Sequence, residues 1–82
     1  MELHRALGIV IKRKRDQKEL TQEAVAHEGG LDITYLRDIE HGRCNPSIDI
    51  IDRVAAGLGV DLISLISLAK EEQSKHTAPP DE

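Results

Sequence analysis

Four side chains of contrasting chemistry fall at positions whose spacing places them on one face of a helix. They are Ile33, Thr34, Arg37 and Asp38. The guanidinium of Arg37 is a planar fork of N–H donors that fits a flat pair of acceptors. Thr34 can donate or accept a hydrogen bond, whereas Ile33 offers only apolar contact. Such a face is suited to recognising the polar edge of another molecule.

A block of basic residues precedes this face on the chain. Residues 12–15 read Lys-Arg-Lys-Arg, and Lys18 follows shortly after. Only Asp16 opposes them nearby, although the whole chain carries a net charge of −4. Strong positive charge is usual in nucleic-acid-binding domains, so the overall balance argues against that class and the local block argues for it. Lys14 is a candidate phosphate contact, and the alternative for the block is a solvated helix face.

Metal binding and catalysis find little support in the sequence. His41 and Cys44 have the spacing of two metal ligands, but no second pair completes a tetrahedral site. The lone cysteine excludes an intramolecular disulfide and is typical of a reducing compartment. No Ser–His–Asp order, phosphate-binding glycine loop or evident carboxylate pair points to catalysis. We therefore expect no metal, no cofactor and no enzymatic activity.

The elements that must position these residues are short helices. Apolar residues recur at helical spacing from about Glu2 to Arg15, which predicts the first helix. Leu, Ile, Val and Ala supply nearly all the apolar content, and Phe and Trp are absent, so the core must be aliphatic. We expect an all-α, compact five-helix domain. Four further helices are predicted to begin behind the N-cap candidates Thr21, Asp32, Ser47 and Asp61.

Glycines and a polar segment predict where these helices and the domain end. The second helix should stop at Gly29-Gly30, and the third should run to about His41. The fourth should end at Gly57 and Gly59, with Gly59 as its left-handed cap.

The division of the chain follows from its composition. The domain is predicted to cover residues 1–69, and the polar residues 70–82 a disordered tail. No apolar stretch is long enough for a signal peptide or a membrane span, so we expect a cytoplasmic, nucleoid-associated protein without membrane contact.

The second and third predicted helices have the order and spacing of a helix-turn-helix. Both are short, and a tight turn through Gly30 and Leu31 joins them. In that motif the second helix enters the major groove of DNA, which is about 12 Å wide and admits one helix. The face that carries Arg37 would then meet base edges.

Several separated segments resemble the lambda-repressor/Cro-type family of helix-turn-helix regulators. They are LTQEAVA at 20–26, GLD at 30–32, TYL at 34–36, IEHG at 39–42, NPS at 45–47 and AGLGV at 56–60. Within that family, the stretches at 31–35 and 39–40 are similar to controller proteins of restriction–modification systems, and small phage repressors share much of them. The resemblance covers about residues 7–68 and implies a lambda-repressor-like DNA-binding fold.

The resemblance also implies contacts to the DNA backbone. In the family, the position of Gln22 touches a phosphate and braces the recognition helix, and Tyr35 resembles a backbone-contacting tyrosine. The alternative for Tyr35 is a half-buried ring that fills a gap between helices. The loop after the third helix runs along the backbone in the family. The predicted phosphate contacts are therefore Gln22, Tyr35, His41, Arg43, Asn45, Arg15 and Lys14.

Arg15 and Glu40 correspond to a family pair that links the first helix to the end of the recognition helix, and we expect a structural ion pair. For base contacts, Arg37 can read guanine through O6 and N7, with about 1–3 kcal/mol of discrimination. Asp38 would accept from a cytosine amine or simply face solvent. Ile33 departs from controller-like relatives, which often carry a polar or basic residue there, and it can make only apolar contact, for example with a thymine methyl.

The fifth predicted helix has too many apolar positions for one buried face. An exposed aliphatic patch on a small domain usually marks an interface. We therefore predict a two-fold homodimer, and the alternative is a fully buried C-terminal helix. The predicted interface residues are Leu62, Ile63, Ile66 and Leu68.

Together these features predict a sequence-specific regulator of transcription that binds a near-palindromic double-stranded DNA operator as a homodimer. Bound protein would exclude or recruit RNA polymerase. A second hypothesis is an antitoxin-type module that neutralises a protein partner and autoregulates its operon, which the acidic balance and polar tail favour. A third is a structural adaptor without DNA contact. Sequence-preferring DNA binding by the purified protein alone separates the first from the second, and Gln22, Arg37 and Arg43 argue against the third.

Overall fold

The computed structural model describes residues 1–75, which form five α-helices and no strand. They are α1 (Leu3–Gln17), α2 (Gln22–Gly29), α3 (Ile33–Glu40), α4 (Ile48–Leu58) and α5 (Leu62–Lys75). The predicted five-helix, all-α fold is confirmed. No helix within this part of the chain is long and apolar enough to cross a bilayer.

Side-chain caps begin four of the five helices. At α3, Asp32 Oδ1 accepts a hydrogen bond from the backbone N–H of Thr34 at 2.7 Å. This bond satisfies one of the free donors of the first turn and determines where α3 begins. All four predicted caps are confirmed, at Thr21, Asp32, Ser47 and Asp61.

The helices enclose an aliphatic core. Helix α1 packs along α5, α2 packs against α4, and α3 contacts both α1 and α2. The largest fully buried side chains include Ile11, Leu36, Ile39, Leu58 and Leu65. Because α3 shares this core with α1 and α2, its buried side is held by two helices and its other side is left outside.

The glycines act as predicted at the ends of α2 and α4, with one correction. Gly30 and Gly59 are left-handed C-caps, with φ of 70° and 72°. Gly57, expected to mark the end of α4, lies inside that helix, which continues to Leu58. A Cβ on Gly57 would lie 2.4 Å from the carbonyl oxygen of Val25, so this glycine permits α4 to pack closely on α2.

The predicted tail begins too early. Helix α5 continues through residues 70–75, which were expected to be disordered. Glu72 is buried, and its Oε1 accepts a hydrogen bond from Arg13 Nη2 at 2.7 Å. This contact to α1, together with fully buried Ala69, makes the helix longer than its polar sequence suggests. The rest of the predicted tail, residues 76–82, lies outside the described residues.

Glu19 adopts a left-handed backbone with φ of 56°, immediately after α1. Such a conformation costs a residue with a Cβ about 1–2 kcal/mol, and glycine avoids that cost. We expect Glu19→Gly to raise the free energy of unfolding by up to about 1 kcal/mol in urea denaturation. Glu71→Gly, at an exposed position inside α5, should instead lower it by about 1 kcal/mol. A loss of stability in both variants would contradict the argument.

Candidate nucleic-acid interface

One side of α3 is open to solvent. Thr34 and Arg37 are exposed, Asp38 is half-buried, and Leu36 and Ile39 are buried on the opposite side. The short helix therefore offers a ridge of polar side chains that nothing in residues 1–75 covers. Its length of eight residues suits insertion into a groove.

Two residues predicted to contact DNA lie at the flanks of this ridge. Ile33 and Tyr35 are half-buried and pack against the hydrophobic core. Each therefore already fills space between helices, as the alternative for Tyr35 anticipated. Their remaining exposed surface is available at the edges of the ridge, whereas Thr34 and Arg37 occupy its centre.

The buried side of α3 ends in an ion pair with α1. Arg15 Nε donates to Glu40 Oε2 at 2.8 Å, and Arg15 Nη2 donates to Glu40 Oε1 at 3.1 Å. The side chains are 13% and 2% exposed, respectively. This is the two-pronged arrangement that guanidinium and carboxylate groups favour. The ion pair expected from the sequence is thus present.

Arg15 has little capacity left for DNA. Its third guanidinium nitrogen, Nη1, donates to the carbonyl oxygen of Leu20 at 2.9 Å. The hydrogen bond to Glu40 raises the pKa of Arg15 further above its usual value, so the guanidinium keeps its charge at any physiological pH. All three nitrogens serve the fold and engage three of the five N–H groups, and the additional phosphate contact of Arg15 stays a prediction.

A second set of hydrogen bonds joins α2 to α3. Gln22 Nε2 donates to Glu40 Oε1 at 3.0 Å, and Gln22 Oε1 accepts from Arg37 Nε at 3.1 Å. The family resemblance implied that Gln22 braces the recognition helix, but it did not identify the bond to Arg37. Spacing alone could not reveal that bond, because the partners lie on different helices.

The basic block is mostly neutralised by neighbouring carboxylates. Lys12 Nζ lies 2.9 Å from Asp16 Oδ2, and this hydrogen bond lowers the pKa of Asp16 below its usual value. Arg13 and Arg15 are paired as described above. Lys14 and Lys18 are the members of the block without an ion pair to any residue in 1–75. The block therefore supplies less positive charge to a DNA backbone than its composition suggests.

The loop after α3 presents the remaining predicted contacts. His41, Arg43 and Asn45 are all exposed. Arg43 Nη1 lies 3.6 Å from Asp38 Oδ1, and the two side chains are 67% and 40% exposed. An ion pair this exposed is weak, so Arg43 can exchange the carboxylate for a phosphate.

Cys44 is half-buried against the core. Burial raises the pKa of its thiol, and the nearby charge of Asp38 raises it further. No group of metal-ligating side chains forms among residues 1–75. The structure therefore favours an inert, protonated thiol at neutral pH.

This environment makes the reactivity of Cys44 testable. Because the folded protein holds the thiol protonated, we expect iodoacetamide to alkylate Cys44 at pH 7.5 several-fold more slowly than in urea-unfolded protein. The rate should increase at more alkaline pH, where the thiolate forms. Mass spectrometry of quenched samples measures both rates. Equal rates in folded and unfolded protein would reject the protected thiol.

The fold and this interface define a class, the helix-turn-helix DNA-binding domain of transcriptional regulators. The chain belongs to the family described as Helix-turn-helix, which matches residues 11–65.

Similar proteins carry the names of repressors and control proteins. The chain is 36% identical over 75 residues to the immunity repressor protein of Bacillus phage phi105, covering 88% of this chain and 52% of the repressor. It is 37% identical over 62 residues to the control protein C.BamHI of Bacillus amyloliquefaciens, covering 72% and 76% of the two chains. The chain thus spans about half the length of the phage repressor.

A solved structure agrees with the fold. The wild-type restriction–modification controller protein C.Esp1396I is 32% identical to this chain, with a TM-score of 0.83, and the match covers 93% of this chain and 99% of that one. The resemblance to phage repressors and controller proteins that the sequence predicted is therefore confirmed. None of these names is that of an enzyme.

Proposed function

We propose that this protein is a sequence-specific regulator of transcription that binds a near-palindromic operator as a homodimer. The observation that carries the proposal is the placement of α3. Its outer ridge with Thr34 and Arg37 is exposed, while Glu40 and Arg15 tie its inner side to the body of the fold. A rigidly held, exposed helix of this length suits the major groove. Family membership and the names of the relatives support the same role.

The geometry supports separate roles for the residues that would contact bases and those that would contact phosphates. Arg37 has the donors to read a guanine, and Thr34 lies beside it on the ridge. Ile33 and Asp38 border them. Ile33 would make an apolar contact with a base, and Asp38 would accept a hydrogen bond from a cytosine amine. Exposed His41, Arg43 and Asn45, with Gln22, Tyr35 and Lys14, would contact phosphates and set the register on the duplex.

The dimer is proposed from apolar surface on α5. Ile63 is 70% exposed, and Ile66 lines an open groove of about 430 Å³ that Leu3 and Ile51 also line. Leu62 and Leu68 instead pack partly against the core of their own chain. The proposed interface therefore centres on Ile63 and Ile66, and a second copy placed there would remove this surface from water.

Two copies related by a two-fold axis would present two α3 helices to one side of the duplex. Half-sites should lie about one helical turn apart, roughly 10 bp. Bound in this way in the cytoplasm, the protein would exclude RNA polymerase from a promoter or recruit it.

Selection from a random-sequence duplex library tests the DNA-binding proposal. We expect purified protein to enrich a near-palindrome, and fluorescence anisotropy should show preference for it over scrambled duplex at 150 mM salt. Arg37→Ala should lose about 1–3 kcal/mol of discrimination at one base pair in each half-site. Arg43→Ala should weaken all sequences alike and reduce the salt slope by about 0.9. Binding without any sequence preference would reject the proposal.

Sedimentation tests the dimer separately. Ile63→Asp and Ile66→Asp place a charge in the proposed interface and should shift the mass towards that of a monomer. Ala56→Asp, at an exposed position on α4, serves as the matched control and should leave the mass of the wild type. If both α5 variants keep the wild-type mass, the dimer does not form through this surface.

A further inference from the structure

We propose that Gln22 is a positioning residue for base recognition, because its side-chain amide aims the guanidinium of Arg37 outward from α3. The inference rests on the proposed function, since Arg37 must itself read a base. It assigns to Gln22 an effect on sequence preference through Arg37, beyond the phosphate contact and the bracing of the recognition helix that the family resemblance implies.

The orientation of the Gln22 amide is determined at both of its ends. The carboxylate of Glu40 can only accept, so it faces the N–H donors of Nε2, with Oε1 of Glu40 at 3.0 Å. The guanidinium of Arg37 can only donate, so it faces Gln22 Oε1, with Nε at 3.1 Å. Reversing the amide would set oxygen against carboxylate and N–H against N–H. A single orientation therefore satisfies both neighbours.

Glu40 is a firm anchor for this amide. Its side chain is 2% exposed and receives two hydrogen bonds from Arg15 in addition to the one from Gln22. A buried side chain that is held by three hydrogen bonds has few alternative positions. The buried carboxylate of Glu40 therefore holds the Gln22 amide in place through Nε2. The other end of the amide, Oε1, reaches Arg37 on the exposed ridge.

The consequence falls on Arg37, which is exposed and would otherwise sample many rotamers. Its bond to Gln22 engages Nε and leaves the two terminal nitrogens, with four N–H groups, for O6 and N7 of a guanine. Because this restriction exists before DNA arrives, less side-chain freedom is lost on binding. Immobilising one such side chain costs roughly 2- to 12-fold in affinity.

The test uses a labelled duplex carrying the sequence that the wild type enriches, together with its single-base-pair variants. Gln22→Met keeps the length of the side chain and removes both hydrogen bonds. We expect it to lower discrimination roughly 2- to 12-fold at the base pair whose discrimination Arg37→Ala abolishes. In the Arg37→Ala background, Gln22→Met should leave discrimination at that base pair unchanged. Gln17→Met, an exposed position at the end of α1, should retain wild-type discrimination.

Three results would overturn the inference or its foundation. An equal loss of affinity on every duplex, persisting in the Arg37→Ala background, would assign Gln22 a phosphate contact or a role in stability alone. If Arg37→Ala altered no single base pair, Gln22 would have no reader to position. Failure of the wild type to enrich any sequence would instead reject the proposed function, so the two failures are distinguishable.

Discussion

Arg15→Met is expected to lower the free energy of unfolding by about 3–5 kcal/mol. The substitution preserves most of the aliphatic length but leaves the carboxylate of Glu40, which is 2% exposed, with Gln22 as its remaining partner. Water cannot easily reach that carboxylate, so its lost hydrogen bonds are not replaced. For a domain of this size, such a loss approaches the whole stability.

Urea denaturation followed by circular dichroism measures the change. All proteins should be compared at one protomer concentration, because dimerisation would make apparent stability depend on concentration. Arg43→Met is the matched control: its ion pair with Asp38 is exposed, and its effect should stay within about 0.5 kcal/mol.

A double substitution separates buried charge from lost packing. Arg15→Met combined with Glu40→Leu removes both charges, and we expect it to be more stable than Arg15→Met alone. If the double variant were as unstable as the sum of the two single variants, the buried carboxylate would not be the source of the loss.

Gly8→Ala is expected to destabilise the fold by about 3 kcal/mol, against the usual preference of helices for alanine. Gly8 lies inside α1 where that helix crosses the end of α3. An added Cβ would lie 2.3 Å from the carbonyl oxygen of Ile39 and 2.8 Å from that of Glu40. Both are backbone atoms, so one helix must move away from the other.

The sign of this change is itself the test. In open space, Gly→Ala inside a helix would stabilise by about 1 kcal/mol, so any measured gain would show that α1 does not approach α3 this closely. Gly30→Ala is a useful comparison. Nothing lies within 4 Å of its added Cβ, and only its φ of +70° opposes the substitution. Its cost should be about 1–2 kcal/mol, and Gly8→Ala should exceed it.

Local signals in the sequence were sufficient for the boundaries of the middle helices. A capping side chain acts within its own first turn, so Asp32 marks the start of α3 without reference to the rest of the fold. Gly30 and Gly59 end their helices by adopting a backbone that other residues resist. The family resemblance extended these local signals to the Arg15–Glu40 pair.

Features that depend on distant partners were missed. The last residues of α5 look like a polar tail, yet Glu72 is buried because Arg13, 59 positions earlier, donates to it. Likewise, the basic block appeared to be a positive patch, but Arg13 and Arg15 face carboxylates from other helices. Composition counts every charged residue, but the positive charge that a surface presents depends on which of those residues form ion pairs in the fold.

The sequence by itself determined the helix-turn-helix, its caps, its aliphatic core and the face of α3 that carries Arg37. Each of these depends on periodicity or on contacts within a few residues, which a linear sequence records. Only the tertiary structure decided how the polar groups are engaged: Arg15 forms hydrogen bonds to Glu40 and Leu20 inside the fold, and Gln22 is held between Glu40 and Arg37. The physical reason is that a hydrogen bond satisfies particular atoms across space, and the packing of α1, α2 and α3 determines which atoms meet.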